Sequence, residues 1–319
     1  KKSADKAAAT SPTSAGLAAA AASSDPDTKK AAQAATTNSP TAAGAAVAAA
    51  SNDSKSKVDQ TKEAPKTEDN TQSGGVAVAA AVGVNVGIAT TTAKVGKGRT
   101  IASTGGALKV TSANETDTSA VADGSQVDPG NTSVGVGAAV ALNAGISTNV
   151  AVVGDDAVVN TRGLTVSAVN VTGQKSESVA KATSGAGAGD VGVAGALAAN
   201  VAVNTTVAAL EGDTDSDGMG ASVNAGVAAN TGDILIEAGN KTTATVESGA
   251  KVTGTGGTAK VGVGASVGVN VGVNTTVAEV ADKAALTGGK DLGLNATADH
   301  ALTTGVTGGA AGARVAVTP

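Results

Sequence analysis

Four stretches of this chain are copies of one another: Gly75–Val95 (GVAVAAAVGVNVGIATTTAKV), Ser133–Val153, Gly192–Leu210 and Lys260–Val280. Each has an asparagine at the same point, Asn85, Asn143, Asn200 and Asn270, so the copies recur at 58, 57 and 70 residues. A second marker follows each first one. ALKVTSAN ends at Asn114, LTVSAVN at Asn170 and ILIEAGN at Asn240, and in the fourth copy His300 takes that slot. From each second marker to the next first marker the steps are 29, 30 and 30. A period of this length marks a repeat architecture, in which each unit buries a face against its neighbour rather than around a centre.

Inside each copy the apolar residues step by two. Val261, Val263, Val267, Val269, Val271, Val273 and Val277 share odd parity, and Val134, Val136, Val140, Leu142, Ile146, Val150 and Val152 share even parity. A helix would scatter these positions, whereas an extended strand gathers them on one face. Placing the valines inside leaves an opposite face of Gly, Ala, Ser, Asn and Thr, suited to close approach of another sheet or chain. On that assignment Val269→Asp destabilises its coil by several kcal/mol, because an unpaired charge enters a dry core. A twenty-residue strand would span about 65 Å at roughly 3.3 Å per residue, well beyond ordinary strand length. Bends at the glycines are therefore expected, and a unit of 57 residues divides into three coils of 19. In stacked coils the recurring asparagines either form a ladder of side-chain amide bonds or serve a tight bend that tolerates left-handed backbone.

A narrow interior repeated along an axis needs only small and β-branched fillers, and this chain has little else. It contains no Phe, Tyr, Trp or Cys, one Met and one His, against 44 Gly. Compact globular cores draw on the large buried area of aromatic rings. The expected fold class is thus all-β, a repeat β-solenoid over residues 74–319 with four units starting near 75, 133, 191 and 260. A net charge of −5, without a basic stripe or aromatic stacking platform, excludes nucleic-acid binding. The absence of cysteine excludes a disulfide framework and leaves the compartment open.

Residues 1–73 read as a separate segment rich in Ala, Lys and Asp. Two similar stretches, Ser11–Asp25 and Ser39–Asp53, lie 28 residues apart. Alanine is the best helix former, and Asp25-Pro26 and Ser39-Pro40 place a capping residue before a proline at the first helical position. Short helices or flexible chain are expected there. The rival is that the stretches are eroded copies of half a unit, since 28 is close to the marker step. Asp59–Gln72 is polar and reads as a linker or long loop. With Lys1 in place of Met and no signal peptide, the chain reads as an excised or processed piece of something longer.

The phrases VGVGASVGVNVGVNTTVAEV (Val261–Val280) and VGVAGALAANVAVNTTVAAL (Val191–Leu210) resemble repeats of large bacterial β-strand-repeat surface proteins. These are the leukotoxin-like and filamentous-haemagglutinin-like adhesins exported by two-partner (type V) secretion. The likeness covers residues 74–319. It implies a right-handed β-helix, a cell-surface or secreted location, and adhesion or scaffolding, and it carries over no catalytic residue.

The third copy is 13 residues longer than the second, and the excess lies between Leu210 and Asp233. There GDTDSDG places Asp213, Asp215, Asp217 and Gly218 like the start of a calcium loop, where alternating carboxylates converge on one hard cation. The twelfth position, which calls for a bidentate Glu, is Asn224. A calcium site and a solvated acidic loop both stand open. One His and no Cys leave the Ser and Thr hydroxyls without a base, so the chain is not expected to be an enzyme. GVGASVG (Gly262–Gly268) lies inside a strand pattern rather than between strand and helix, and is not a dinucleotide fingerprint. The apolar stretches contain asparagine, run with period two and lack Trp or Tyr, which speaks against membrane insertion.

The expected role is structural: a stalk, scaffold or filament segment of a giant adhesin-like protein at the bacterial surface. The alternative is a surface- or ligand-binding module for glycan, host surface or ice, and a second alternative is a membrane-active toxin segment. A binding face should repeat one side-chain type on every coil, whereas a spacer needs only a regular interior. With the valines assigned inside, the interior is the more regular. The alternation still running at Val315 and Val317 predicts continuation into further repeats or self-association.

Overall fold

The computed structural model describes residues 47–60, 76–103, 105–126, 133–226, 232–254, 259–311 and 313–318, all within the compact unit Ala45–Pro319. Among these residues every regular element is a strand and every ladder is parallel. The strands are β1 (Val47–Gln60), β2 (Val76–Val95), β3 (Thr100–Ser103), β4 (Leu108–Ser125), β5 (Val134–Val153), β6 (Val158–Thr161), β7 (Leu164–Asn170) and β8 (Ser176–Ala188). They continue with β9 (Val191–Leu210), β10 (Ser222–Asn224), β11 (Ile234–Gly254), β12 (Ala259–Val280), β13 (Ala285–Thr287), β14 (Leu292–Ala311) and β15 (Ala313–Val317).

Three sheets result. A broad valine sheet holds β2, β5, β9, β12 and β15; a narrow connecting sheet holds β3, β6, β10 and β13; a broad return sheet holds β1, β4, β7 with β8, β11 and β14. The chain climbs one strand of each in turn, so the all-β solenoid is present. One repeat makes one whole coil, not three coils of 19. The strands β2, β5 and β9 run 20 residues without a break, so no bend at the glycines divides them. Parallel pairing carries such lengths: β5 and β9 are bonded along both edges, and β2 along its whole length to β5. Asn85, Asn143, Asn200 and Asn270 share one column of this ladder.

The turn that leaves the valine sheet repeats as well. Gly98, Asp156 and Lys283 occupy equivalent places in their coils and all have left-handed φ, at 64°, 56° and 61°. The second coil carries a loop between β7 and β8, and a shorter return turn offsets it, so the marker steps stay even.

The valine assignment inverts. Along β2 the exposed positions are Val76, Val78, Val82, Val84, Val86 and Ile88, and the buried ones are Ala79, Gly83, Asn85, Gly87 and Ala89. The same parity holds in β5 and β9. The small face packs on the return sheet so closely that a Cβ on Gly137 would lie 2.3 Å from the Gly185 carbonyl oxygen, and one on Gly135 2.2 Å from that of Gly187. No valine fits such a gap, which is why the branched side chains stand outside. The close approach expected of the small-residue face is what the fold uses.

The buried leucines and isoleucines sit beside the connecting sheet, which props the broad sheets apart. There Val95, Leu108, Val153, Leu164, Leu210 and Ile236 form one core cluster. Farther along, a second cluster is almost all alanine, including Ala120, Ala141, Ala182 and Ala198. The return sheet sends Val246 and Val252 into this narrow end, Val252 against Gly192.

Two further expectations change. The stretch Val47–Gln60 is not helical but a strand paired with β4, with Asn52 opposite Asn114, as the eroded-copy alternative would have it there. Asp59 and Gln60 thus belong to a strand rather than a linker. The rest of residues 1–73 lies outside the described residues. In β14 the slot opposite Asn240 holds Ala298, and His300 pairs with Thr242 instead. The sequence alignment placed it two residues off, because the asparagine of β14, Asn295, pairs with Glu237 and does not mark the slot opposite Asn240.

Candidate functional site

Between the alanine cluster and the large-residue cluster runs a polar band. Asn85 Nδ2 donates to Asn143 Oδ1 at 2.9 Å, Asn143 Nδ2 to Asn200 Oδ1 at 2.8 Å, and Asn200 Nδ2 to Asn270 Oδ1 at 3.1 Å. From the return sheet, Ser178 Oγ donates to Asn200 Oδ1 at 2.7 Å, and Asn143 Nδ2 reaches Thr118 Oγ1 at 3.0 Å. Asn200 is wholly buried. None of the four lies at a bend; the described non-glycine residues with positive φ are Asp156, Ser216 and Lys283. A parallel column links Asn204 to Asn274 at 2.8 Å, and Asn114 donates to Ser147 at 2.8 Å. Each amide can both donate and accept along the axis, so the asparagine column bonds coil to coil, while Thr91 Oγ1, Thr276 Oγ1 and Asn240 Nδ2 nearby are buried without a partner among the described residues.

A second cluster forms where the valine strands turn toward the connecting sheet. Lys97 Nζ lies 2.9 Å from Asp155 Oδ2, 3.5 Å from Asp156 Oδ2 and 2.5 Å from Asp215 Oδ2. The Asp155 side chain is 1% exposed, and its Oδ2 also accepts from the Thr214 hydroxyl and, at 3.0 Å, the Thr214 N–H. The Thr214 hydroxyl and the Lys97 ammonium, working against burial, hold the Asp155 carboxyl down to about 2. Burial, with Asp217 and Asp155 nearby, pushes Asp156 up. The Asp215 and Asp155 carboxylates push Lys97 up.

Of the three residues read as a calcium loop, Asp213 serves its own backbone. Its carboxylate accepts from Ser216, Asp217 and Gly218 N–H at 2.6, 3.2 and 2.8 Å, and pairs with Lys283 at 3.2 Å. Burial pushes this carboxyl up, but the Gly218 N–H, the Lys283 ammonium and the Ser216 N–H prevail and hold it down. Asp217 accepts from Met219 N–H at 2.9 Å. The structure does bring carboxylate oxygens of Asp213, Asp215 and Asp217 within 4.8 Å of one another, and those of Asp155, Asp156 and Asp215 likewise. In the second trio the Lys97 ammonium already supplies the positive charge. Sequence reading missed Asp155 and Asp156 because they come from the preceding coil; their signal was two adjacent acids at the turn position where the first coil has Lys97-Gly98.

The third feature is the outer face of the valine sheet. Register stacks Val76, Val134, Val191 and Val261 in one column, Val82, Val140, Leu197 and Val267 in another, and Ile88, Ile146, Val203 and Val273 in a third. Thr90, Thr148, Thr205 and Thr275 stack beside them. Ile88 is 68% exposed and Val273 51%. No family model, no curated protein and no solved structure matches this chain.

Proposed function

We propose that this chain is a non-catalytic structural segment, a stack of β-coils serving as scaffold or stalk in a large adhesin-like protein of the bacterial surface. The observation that carries the reading is the shared register. The four valine strands pair residue for residue, and their asparagines are bonded along the stacking axis. Such a stack resists extension through many parallel ladders at once; the ladders join each coil to its neighbours, and Lys94–Glu211 and Lys97–Asp215 tie the first coil to the third besides. The surface location and the adhesin-like parent rest on the resemblance of Val191–Leu210 and Val261–Val280.

Excision of one coil, residues 134–190, is the direct test. A modular scaffold refolds with one coil fewer, and pulling it in a force spectrometer shortens the contour by that coil. Loss of folding on excision overturns the modular reading. Labelling of intact source cells with an antibody to the segment tests location, and reaction only after lysis overturns it.

A second reading, the binding module, is favoured by one observation. The regular columns of valine and threonine lie outside, where a partner meets them, and not inside.

A further inference from the structure

We propose that the outer face of the valine sheet packs face to face against the same face of a second copy of this chain. The inference rests on the structural reading above and names the partner of that scaffold. Seven successive outward positions on each strand, from Val76 to Ile88 in β2 and from Val261 to Val273 in β12, carry no charge and no side chain more polar than a backbone amide. At roughly 6.6 Å per row and about 4.8 Å per strand, four strands make a patch of roughly 800 Å². A monomer's largest apolar patch is about 300–600 Å², while a stable complex covers about 800 Å² on each partner. The face is thus of a size that complexes cover and monomers rarely leave bare. Two sheets pack with such faces about 10 Å apart.

Charge selects both the partner and the direction. The first ionisable residues in the rows are Lys94, on the first coil, and Glu279, on the fourth, and both lie in the same row. A twofold axis along the strands lays the first coil over the fourth, row on matching row. Lys94 then faces Glu279 of the second copy, and Glu279 faces its Lys94. A twofold axis along the stack would instead lay both charges on valines. A lipid surface asks for basic and aromatic residues around an apolar face; the chain has no Trp or Tyr, and among the described outward rows Lys94 is the one basic residue, while Lys260 at the far end is paired with Asp190. In the single chain Lys94 pairs with Glu211 at 2.8 Å, an exposed bridge that is cheaply exchanged.

Sedimentation equilibrium of the whole chain between about 1 and 100 µM tests this, with Val84→Lys/Val271→Lys as the key variant. Both positions are solvent-facing, so circular dichroism and melting at low concentration should match the parent while dimerisation weakens at least 100-fold. Lys94→Glu should weaken it about tenfold, and Lys94→Glu/Glu279→Lys should restore it. A parent that stays monomeric at 100 µM overturns the proposal, as does a parent that binds phosphatidylcholine–phosphatidylglycerol vesicles without dimerising. Dimerisation equal to the parent's in Val84→Lys/Val271→Lys overturns it too, and points to the open edge of β14. None of these outcomes alters the coil-excision result, so this proposal and the scaffold reading fail separately.

Discussion

The interior of the coil stack is built differently at its two ends. Beside the connecting sheet, Leu108, Leu164, Leu210 and Ile236 fill a wide wedge, all at most 1% exposed. Near the return turn, Ala120, Ala182 and Ala198 and the glycines bring two sheets almost into backbone contact. Both ends are dry and dense, yet they are limited by opposite errors. The wide end needs volume, because the third sheet holds its walls apart and a lost side chain leaves a cavity. The narrow end needs absence of volume, because parallel ladders in both walls resist parting. A solenoid interior therefore has no single preferred residue; the preferred size follows the local distance between sheets.

The sharpest way to break that comparison is a crossed pair of substitutions. Leu164→Ala at the wide end should cost about 2–5 kcal/mol in denaturant unfolding, through lost transfer energy and a residual cavity. Ala182→Val at the narrow end should cost about 1–3 kcal/mol by overpacking, although it adds apolar surface. If Ala182→Val were neutral the two sheets could part freely, and the taper would not govern residue size.

Between the ends, Asn200→Ala should cost about 1–3 kcal/mol, since it leaves the Asn143 amide donor and the Ser178 hydroxyl short of a buried partner. Amide exchange in β5 and β9 should quicken together. Exchange that stays at the parent's rate in both strands would show that the band adds no stability.

Acid tests the Lys97 corner against the uncharged interior. Asp155 is held down to about 2, so the stability from its charge is fully present above its unfolded value near 4 and is lost as pH falls toward 2. Asp156 has the opposite sign. Its raised carboxyl makes its charge a cost at neutral pH, relieved as pH falls through the folded value. Asp156→Asn should therefore raise the melting temperature at pH 7 by about 1 °C, the more so because Asn tolerates the left-handed backbone there. A lower melting temperature for Asp156→Asn would show that its contact with Lys97 outweighs the repulsion.

The smallest effect belongs to the outer face. Val269 is 46% exposed, so Val269→Asp should change the stability of the dilute chain by no more than about 0.5 kcal/mol, against the large loss expected for an interior valine. A loss of several kcal/mol, seen below any association threshold, would return the valines to the inside.

Much of the fold was legible without coordinates. Strand, register and repeat follow from period-two alternation and the spacing of Asn85, Asn143, Asn200 and Asn270, since a one-residue slip would turn every side chain over. The corner of Lys97, Asp155 and Asp215 was less legible. Its members come from three different coils, and only stacking makes them neighbours.

What the amino-acid sequence determined by itself is that one face of each long strand is branched and the other small. Which face is the inside was decided only by the tertiary structure. Burial of apolar area alone favours valine within, but the distance between two sheets belongs to neither strand alone. Here glycine meets backbone or a single branched side chain of the return sheet, as Gly137 meets Gly185 and Gly192 meets Val252, so the facing strand has no room for a valine of its own.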